Sequence, residues 1–298
     1  MADLALLVLT MFWGTTFSLV KEALQSASVG VFLSLRFGVA AVLLAAVWAA
    51  RRDRLGPGFV RHGALLGLAM LSGFWLQTLG LRHTTPARSG FITGLSVLIV
   101  PFVARFMLGR RVRLASWAGV ALAVVGLLML TRPFGEAVTP AVRLGDLLTL
   151  GCSIAFALQV VFTSEWSTRH PLAPFVTAQV GFTLAGALLS MLVEAPRLAP
   201  ASPLRFAGVV AFTGVLMTAG AFFVMNWAQR HTTAVRAALI FSLEPVAAAL
   251  FSAWYWREPF GPWDIAGGAT IVLAVVLGEV GGLLEGRAEA GEAAGGGS

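Results

Sequence analysis

Three ionisable side chains stand inside or at the edge of long apolar runs: Glu244, Arg36 and Lys21. Glu244 lies about two residues from the middle of the run 235–256, roughly 3 Å from its midpoint at ~1.5 Å per residue. If that run crosses a bilayer, a charge at this depth costs ~2.5–3.5 kcal/mol, so the carboxylate should face a cavity or a partner. The chemistry open to it there is proton coupling or the anchoring of a substrate ammonium. A structural role competes: Pro245 lacks an N–H, and Glu244 could satisfy the backbone carbonyl that this leaves free. Arg36 lies about four residues from the middle of the run 29–50, where its guanidinium fork matches a substrate carboxylate. Snorkelling or an internal ion pair would explain it as well. Lys21 ends the first run, where snorkelling is the default.

Aromatic and amide groups surround these charges along the sequence. Trp13 and Gly14 fall in the middle of the run 4–21, with Thr16 just beyond. A tryptophan at mid-span must face lipid or a cavity, because tryptophans otherwise favour the interfaces. Phe74, Trp75 and Gln77 lie on the run 61–81, Phe156 and Gln159 on 144–165, and Phe222, Phe223 and Asn226 on 205–228. Apolar walls with a few polar groups suit amphipathic substrates; ordinary helix packing would use the same residues. The candidate substrate-binding set is Trp13, Gly14, Thr16, Arg36, Trp75, Gln77, Phe156, Gln159, Asn226 and Glu244. Catalytic signals are missing. His62, His83, His170 and His231 all fall at run ends, none at metal-ligand spacing from a second ligand. Cys152 is the sole cysteine. No nucleophile elbow, Walker loop or dinucleotide fingerprint occurs. The expectation is a protein that is not an enzyme and needs no cofactor or metal, with any transport driven by gradients.

Long hydrophobic helices must position these residues. The chain is 58% hydrophobic and 12% charged, about half the charge of a soluble domain, with mean hydropathy +0.85. Ten apolar runs are expected to span a bilayer: approximately 4–21, 29–50, 61–81, 88–108, 114–131, 144–165, 173–193, 205–228, 235–256 and 263–284. The first begins almost at Met1 without a basic leader and reads as a span, not a cleaved signal. The net charge of +7 sits mostly in short connections, which favours orientation and headgroup contact over nucleic-acid binding. Arg82-His83-Thr84-Thr85 returns 148 positions later as Arg230-His231-Thr232-Thr233, each copy followed by an Arg, at Arg88 and Arg236. The chain therefore reads as a duplication: residues 1–138 and 139–284 each carry five spans, and 285–298 form a disordered tail. Five is odd, so the second half enters the membrane from the opposite side, as in inverted-repeat transporters. With the amino terminus inside, seven basic residues of the first half face the cytoplasm and five face outward, which places both termini in the cytoplasm of a multi-pass inner-membrane protein.

Several blocks resemble the drug/metabolite transporter superfamily, specifically its EamA-type members. They are Phe12-Trp13-Gly14-Thr15-Thr16-Phe17 with Lys21, then Leu35-Arg36-Phe37, Leu243-Glu244-Pro245-Val246, Trp256-Arg257-Glu258-Pro259 and Gly267-Gly268, with Pro101 and Leu108-Gly109-Arg110 as the first-half counterpart. The family often has Glu-Pro in both halves, whereas here Val100 precedes Pro101; the first half does not duplicate Glu244. The resemblance implies ten helices in two inverted repeats and small-molecule transport, often export of amino acids or related metabolites. It also implies a homodimer through spans five and ten. Proton or counter-substrate coupling would drive the flux. The competing readings are a membrane enzyme acting on lipid-soluble substrates and a carrier of organic cations, drugs or other metabolites.

Overall fold

The computed structural model describes residues 1–51, 53–131, 139–255, 257 and 261–295, the stretch 279–295 as backbone alone. Among them every regular element is helical, apart from one isolated bridge between Ala27 and Leu198. Eight helical segments are long and apolar enough to cross a membrane: Ala2–Ser26, Val29–Arg51, Phe59–Leu81, Arg88–Leu108, Pro140–Arg169, Leu172–Ser190, Pro203–Ala228 and Ala234–Phe251. The fifth and tenth expected spans also form apolar helices, at Leu114–Leu130 and Pro262–Gly278, but these are shorter. The family block at Trp256, Glu258 and Pro259 lies outside the described residues.

Several of these segments are not single helices. The first is α1 (Ala2–Gly14) and α2 (Thr16–Ser26), parted at Thr15. The second and third are continuous, α3 (Val29–Arg51) and α4 (Phe59–Leu81). The fourth breaks at Leu95 into α5 (Pro86–Gly94) and α6 (Ser96–Leu108). After α7 (Leu114–Thr131) come the unbroken α8 (Pro140–Trp166) and α9 (Leu172–Ser190). The eighth segment runs α10 (Pro203–Ala211), a π-helical stretch Phe212–Gly220, then α11 (Ala221–Ala228). The ninth breaks at Ser242–Leu243 into α12 (Ala234–Phe241) and α13 (Glu244–Tyr255), and α14 (Pro262–Gly295) follows. The sequence expects one kinked helix over 235–256; instead Glu244 opens a new helix. Proline is favoured in a first turn, where its missing N–H costs nothing, so Pro245 starts α13. The breaks in the fourth and ninth segments, at Leu95 and Leu243, are 148 residues apart, the spacing of the sequence repeat.

The repeated motif has a local structural meaning. Thr85 and Thr233 each close the motif and cap the next helix: their hydroxyls accept from the N–H of Arg88 and Arg236, both at 3.3 Å. This satisfies an N–H that the helix itself cannot. The two arginines then reach across to the other half. Arg88 pairs with Asp146 on α8, and Arg236 with Asp3 on α1 at 3.1 Å. Helices α7 and α14 pack on each other, with glycines at the contact: a Cβ on Gly126 would lie 2.9 Å from the Gly267 carbonyl oxygen. Helix α14 continues to Gly295, past residue 284, where the sequence reading begins a disordered tail. Alanine and glutamate are strong helix formers, and that segment is rich in both.

Candidate functional site

A cavity of about 70 Å³ lies where the helix breaks meet. Trp13 and Thr16, on either side of the Thr15 break, form part of its wall, and Arg36 enters from α3. Phe74 and Gln77 come from α4, Phe156 and Gln159 from α8, Phe222 from α11, and Glu244 from the start of α13. The aromatic rings touch in a chain. Trp13 packs on Phe222 and Phe241 with centroids 5.8 and 5.5 Å apart, and Phe74 meets Phe156 edge-on at 5.2 Å. Among the described residues no cavity wall comes from α7, α9 or α14. Helix α9 packs against α3 and α4 instead.

Arg36 is 3% exposed, yet among the described residues it has no acidic partner. Its charge is held by dipoles and by a ring. Nε donates to the Thr218 hydroxyl at 2.7 Å, Nη2 donates to the Met217 carbonyl at 3.3 Å, and the guanidinium carbon stands 4.5 Å from the Phe74 ring centroid. The π-helical stretch makes this possible. Thr218 donates to the carbonyl of Thr213, five residues back, and the Met217 carbonyl faces sideways to accept from both Arg36 and Trp13 Nε1 (3.2 Å). Such stretches are rare and often mark functional sites. A guanidinium carries five N–H donors, so donors remain for a ligand. Gly214 lets the two helices meet, since a Cβ there would lie 2.9 Å from the Arg36 carbonyl oxygen.

Glu244 faces the same cavity from the opposite half of the chain, and no hydrogen bond or ion pair engages its carboxylate among the described residues. Gly14 sets its position. A Cβ on Gly14 would stand 2.6 Å from the Glu244 carbonyl oxygen and 2.6 Å from the Ala248 N. Only a glycine lets α1 press against the first turn of α13. The cavity thus presents a guanidinium and a carboxyl group that do not pair with each other, between aromatic walls.

Of the expected set, Trp13, Thr16, Arg36, Gln77, Phe156, Gln159 and Glu244 line this cavity. Gly14, Trp75 and Asn226 do not. Gly14 is consumed by the contact with α13. Trp75 is half-buried and packs against neighbouring apolar side chains. Asn226 is fully buried and already bonded, accepting from Gln179 Nε2 at 3.0 Å and donating to the Phe222 carbonyl at 2.9 Å. Sequence reasoning missed Thr93, Ser96 and Phe241, which join the wall because they flank the breaks at Leu95 and Ser242–Leu243. Thr93 receives a hydrogen bond from Gln77 Nε2 at 3.1 Å. Gly94 in one half and Pro245 in the other were the available signals.

The two ends of the molecule differ. At the end away from the amino terminus, Arg82 pairs with Glu194 at 2.7 Å, and Glu194 also accepts from the Gly30 N–H at 3.0 Å. Backbone bonds join Ser28 N to the Arg197 carbonyl (2.9 Å) and Ala199 N to the Ser26 carbonyl (2.7 Å), and Lys21 donates to the Thr84 carbonyl at 2.7 Å. At the amino-terminal end a cavity of about 610 Å³ opens between the halves. Gln229 lines it and donates to the Val160 carbonyl at 2.9 Å; Val160 belongs to the central wall, so the two cavities are neighbours. Beside this vestibule His62 and His170 meet at 2.8 Å between ring nitrogens, with Trp166 stacked on His62. Burial, then the neighbouring His62 and the Arg169 charge, hold His170 below the usual histidine range. Burial likewise lowers Arg230 from its ordinary value.

Fold and cavity together define a multi-pass membrane protein with a polar, aromatic-walled chamber inside its helix bundle. The EamA-like transporter family matches residues 1–132 and 143–278, and the chain belongs to that family. It is similar to an uncharacterized transporter of Archaeoglobus fulgidus, 29% identical over 93% of this chain and 85% of that one. The uncharacterized inner membrane transporter YedA of Escherichia coli is 25% identical over 92% and 89% of the two chains. The uncharacterized transporter YyaM of Bacillus subtilis is 24% identical over 91% of each. A solved crystal structure shares the fold, with a TM-score of 0.78 and 20% identity over 97% of this chain and 98% of that one.

Proposed function

We propose that the chain is a secondary transporter of small zwitterions, amino acids with apolar or aromatic side chains foremost, and that it works as an exporter by alternating access. One observation carries the substrate class. Arg36 and Glu244 line a single cavity without pairing with each other. A zwitterion would place its carboxylate on the guanidinium and its ammonium on the carboxylate. The aromatic side chains Trp13, Phe74, Phe156, Phe222 and Phe241 would then receive the side chain.

The architecture proposed is ten spans in two inverted halves, residues 1–138 and 139–284. The crossed pairs Arg88–Asp146 and Arg236–Asp3 support it, because the arginine that follows each half's motif reaches the first helix of the other half. Inner-membrane placement with both termini cytoplasmic follows the charge bias, and α7 with α14 is the surface proposed for a homodimer. Glu244 is also the proposed site of proton coupling.

Blocked substrates test the substrate class. With an apolar amino acid as the labelled ligand, its N-acetyl and methyl-ester derivatives should each compete at least about tenfold more weakly than the free amino acid, since each loses one charge-assisted contact. Equal competition by all three compounds would remove the two-charge reading. A methyl ester that competes best would favour an organic-cation carrier built on Glu244 alone.

A further inference from the structure

The repeated motif puts a guanidinium at the same place in each half, and only one of the two finds a carboxylate. Arg82 pairs with Glu194 at 2.7 Å. Arg230, its counterpart 148 positions on, has no acidic partner among the described residues. Its Nη2 donates to the His170 carbonyl at 2.7 Å, but its Nε is buried without an acceptor. Two residues on, the Thr232 hydroxyl is also buried without a partner. Both residues line the vestibule of about 610 Å³. The charge around them is one-sided: Arg110, Arg111, Arg113 and Arg236 share that wall with Glu165. Glu165 is already engaged by Arg110 and Arg169, and Asp3 by Arg236. A buried N–H on a charged group without an acceptor is costly, and so is a buried hydroxyl without a partner. An oxyanion seated between them would satisfy both, since its oxygens accept from a guanidinium and a hydroxyl together.

We propose that the vestibule contains a small-oxyanion site in which a carboxylate or phosphate group binds Arg230 Nε and Thr232 Oγ1. The occupant is either a soluble anion or the phosphate of a lipid headgroup; both present the same oxygens. The site is separate from the Arg36–Glu244 cavity, and binding to it needs no flux. Its failure is therefore distinct from a failure of the transport reading.

Titration calorimetry with inorganic phosphate tests it, on the full chain in phosphatidylcholine nanodiscs, with chloride at the same ionic strength as the control. Saturable phosphate binding is expected, weakened at least about tenfold in Arg230→Gln, which removes the guanidinium and its charge. Thr232→Val should weaken it less. Arg205→Gln, at the other end of the molecule beside Glu22, should leave it unchanged. If Arg230→Gln does not elute as a monodisperse protein, Thr232→Val decides. No saturable binding to the wild type, or wild-type affinity in every folded variant, overturns the proposal. Phosphatidylglycerol in the nanodiscs identifies the occupant. Loss of phosphate binding assigns the site to a headgroup, and unchanged binding assigns it to a soluble anion.

Discussion

Neither Glu244 nor Arg36 has a partner of opposite charge among the described residues, and Glu244 can be changed with little change of volume. Glu244→Gln keeps the shape and cannot ionise. Affinity for a zwitterion should fall by about 1.5–3 kcal/mol, the worth of a hydrogen bond to a charged group, and scintillation-proximity binding on purified protein measures it. Melting temperature should barely move, because no protein group among the described residues bonds that carboxylate. If Glu244 instead ties the backbone near Pro245, the melting temperature falls and binding does not. His170 gives a pH-dependent expectation. Its native value lies below the usual 6.5, so below pH 6.5 the unfolded chain binds a proton that the native chain does not. That contribution to stability is complete above pH 6.5 and declines as the pH falls through the window beneath it. Thermal melts in detergent should show the decline, and His170→Gln should reduce it; identical pH profiles would count against it. Arg36 and Glu244 were legible in the sequence because a charge inside an apolar run has few explanations. The contact between His62 and His170 was not, because their 108-residue separation carries no spacing signal.

Helix breaks place the chemistry at the scale of elements. The Thr15, Leu95 and Ser242–Leu243 interruptions bring side chains to the central cavity, and the π-helical stretch Phe212–Gly220 holds Arg36 there. Apolar runs were readable from hydropathy alone, which counts residues and is blind to a local change of helix type. The sequence therefore located the segments but not the breaks, and Thr93, Ser96 and Phe241 went unseen with them. Gly14 was visible as a residue that permits close approach, but its partner was not. Gly14→Ala should destabilise by about 1–3 kcal/mol, the cost of overpacking a filled contact, because the new methyl meets the first turn of α13. Gly38→Ala, at a position with nothing within 4 Å, should be neutral or slightly stabilising, as alanine is the better helix former. Equal melting temperatures for the two variants would mean that α1 does not press on α13 as described.

Across the whole molecule, ties between the halves close one end and a basic vestibule opens at the other. Alternating access requires those ties to break. Arg82→Gln removes the charge opposite Glu194, and a cysteine placed at the otherwise buried Ser28 should then react faster with a membrane-impermeant thiol reagent in intact cells. Unchanged reactivity would mean that this ion pair does not hold the end shut. The duplication was legible because the Arg-His-Thr-Thr motif and its trailing arginine recur intact. The asymmetry between Arg82 and Arg230 was not, because the acids that decide it, Glu194 among them, lie far away in sequence. The central claim is that zwitterions cross the membrane through the cavity between Arg36 and Glu244. Uptake of labelled leucine and phenylalanine into proteoliposomes, with and without a pH gradient, tests it most directly alongside a labelled organic cation and the Glu244→Gln protein. Saturable amino-acid flux that responds to the gradient and falls at least about tenfold in Glu244→Gln is the expected result. No amino-acid flux under either condition, or wild-type flux in Glu244→Gln, would contradict it.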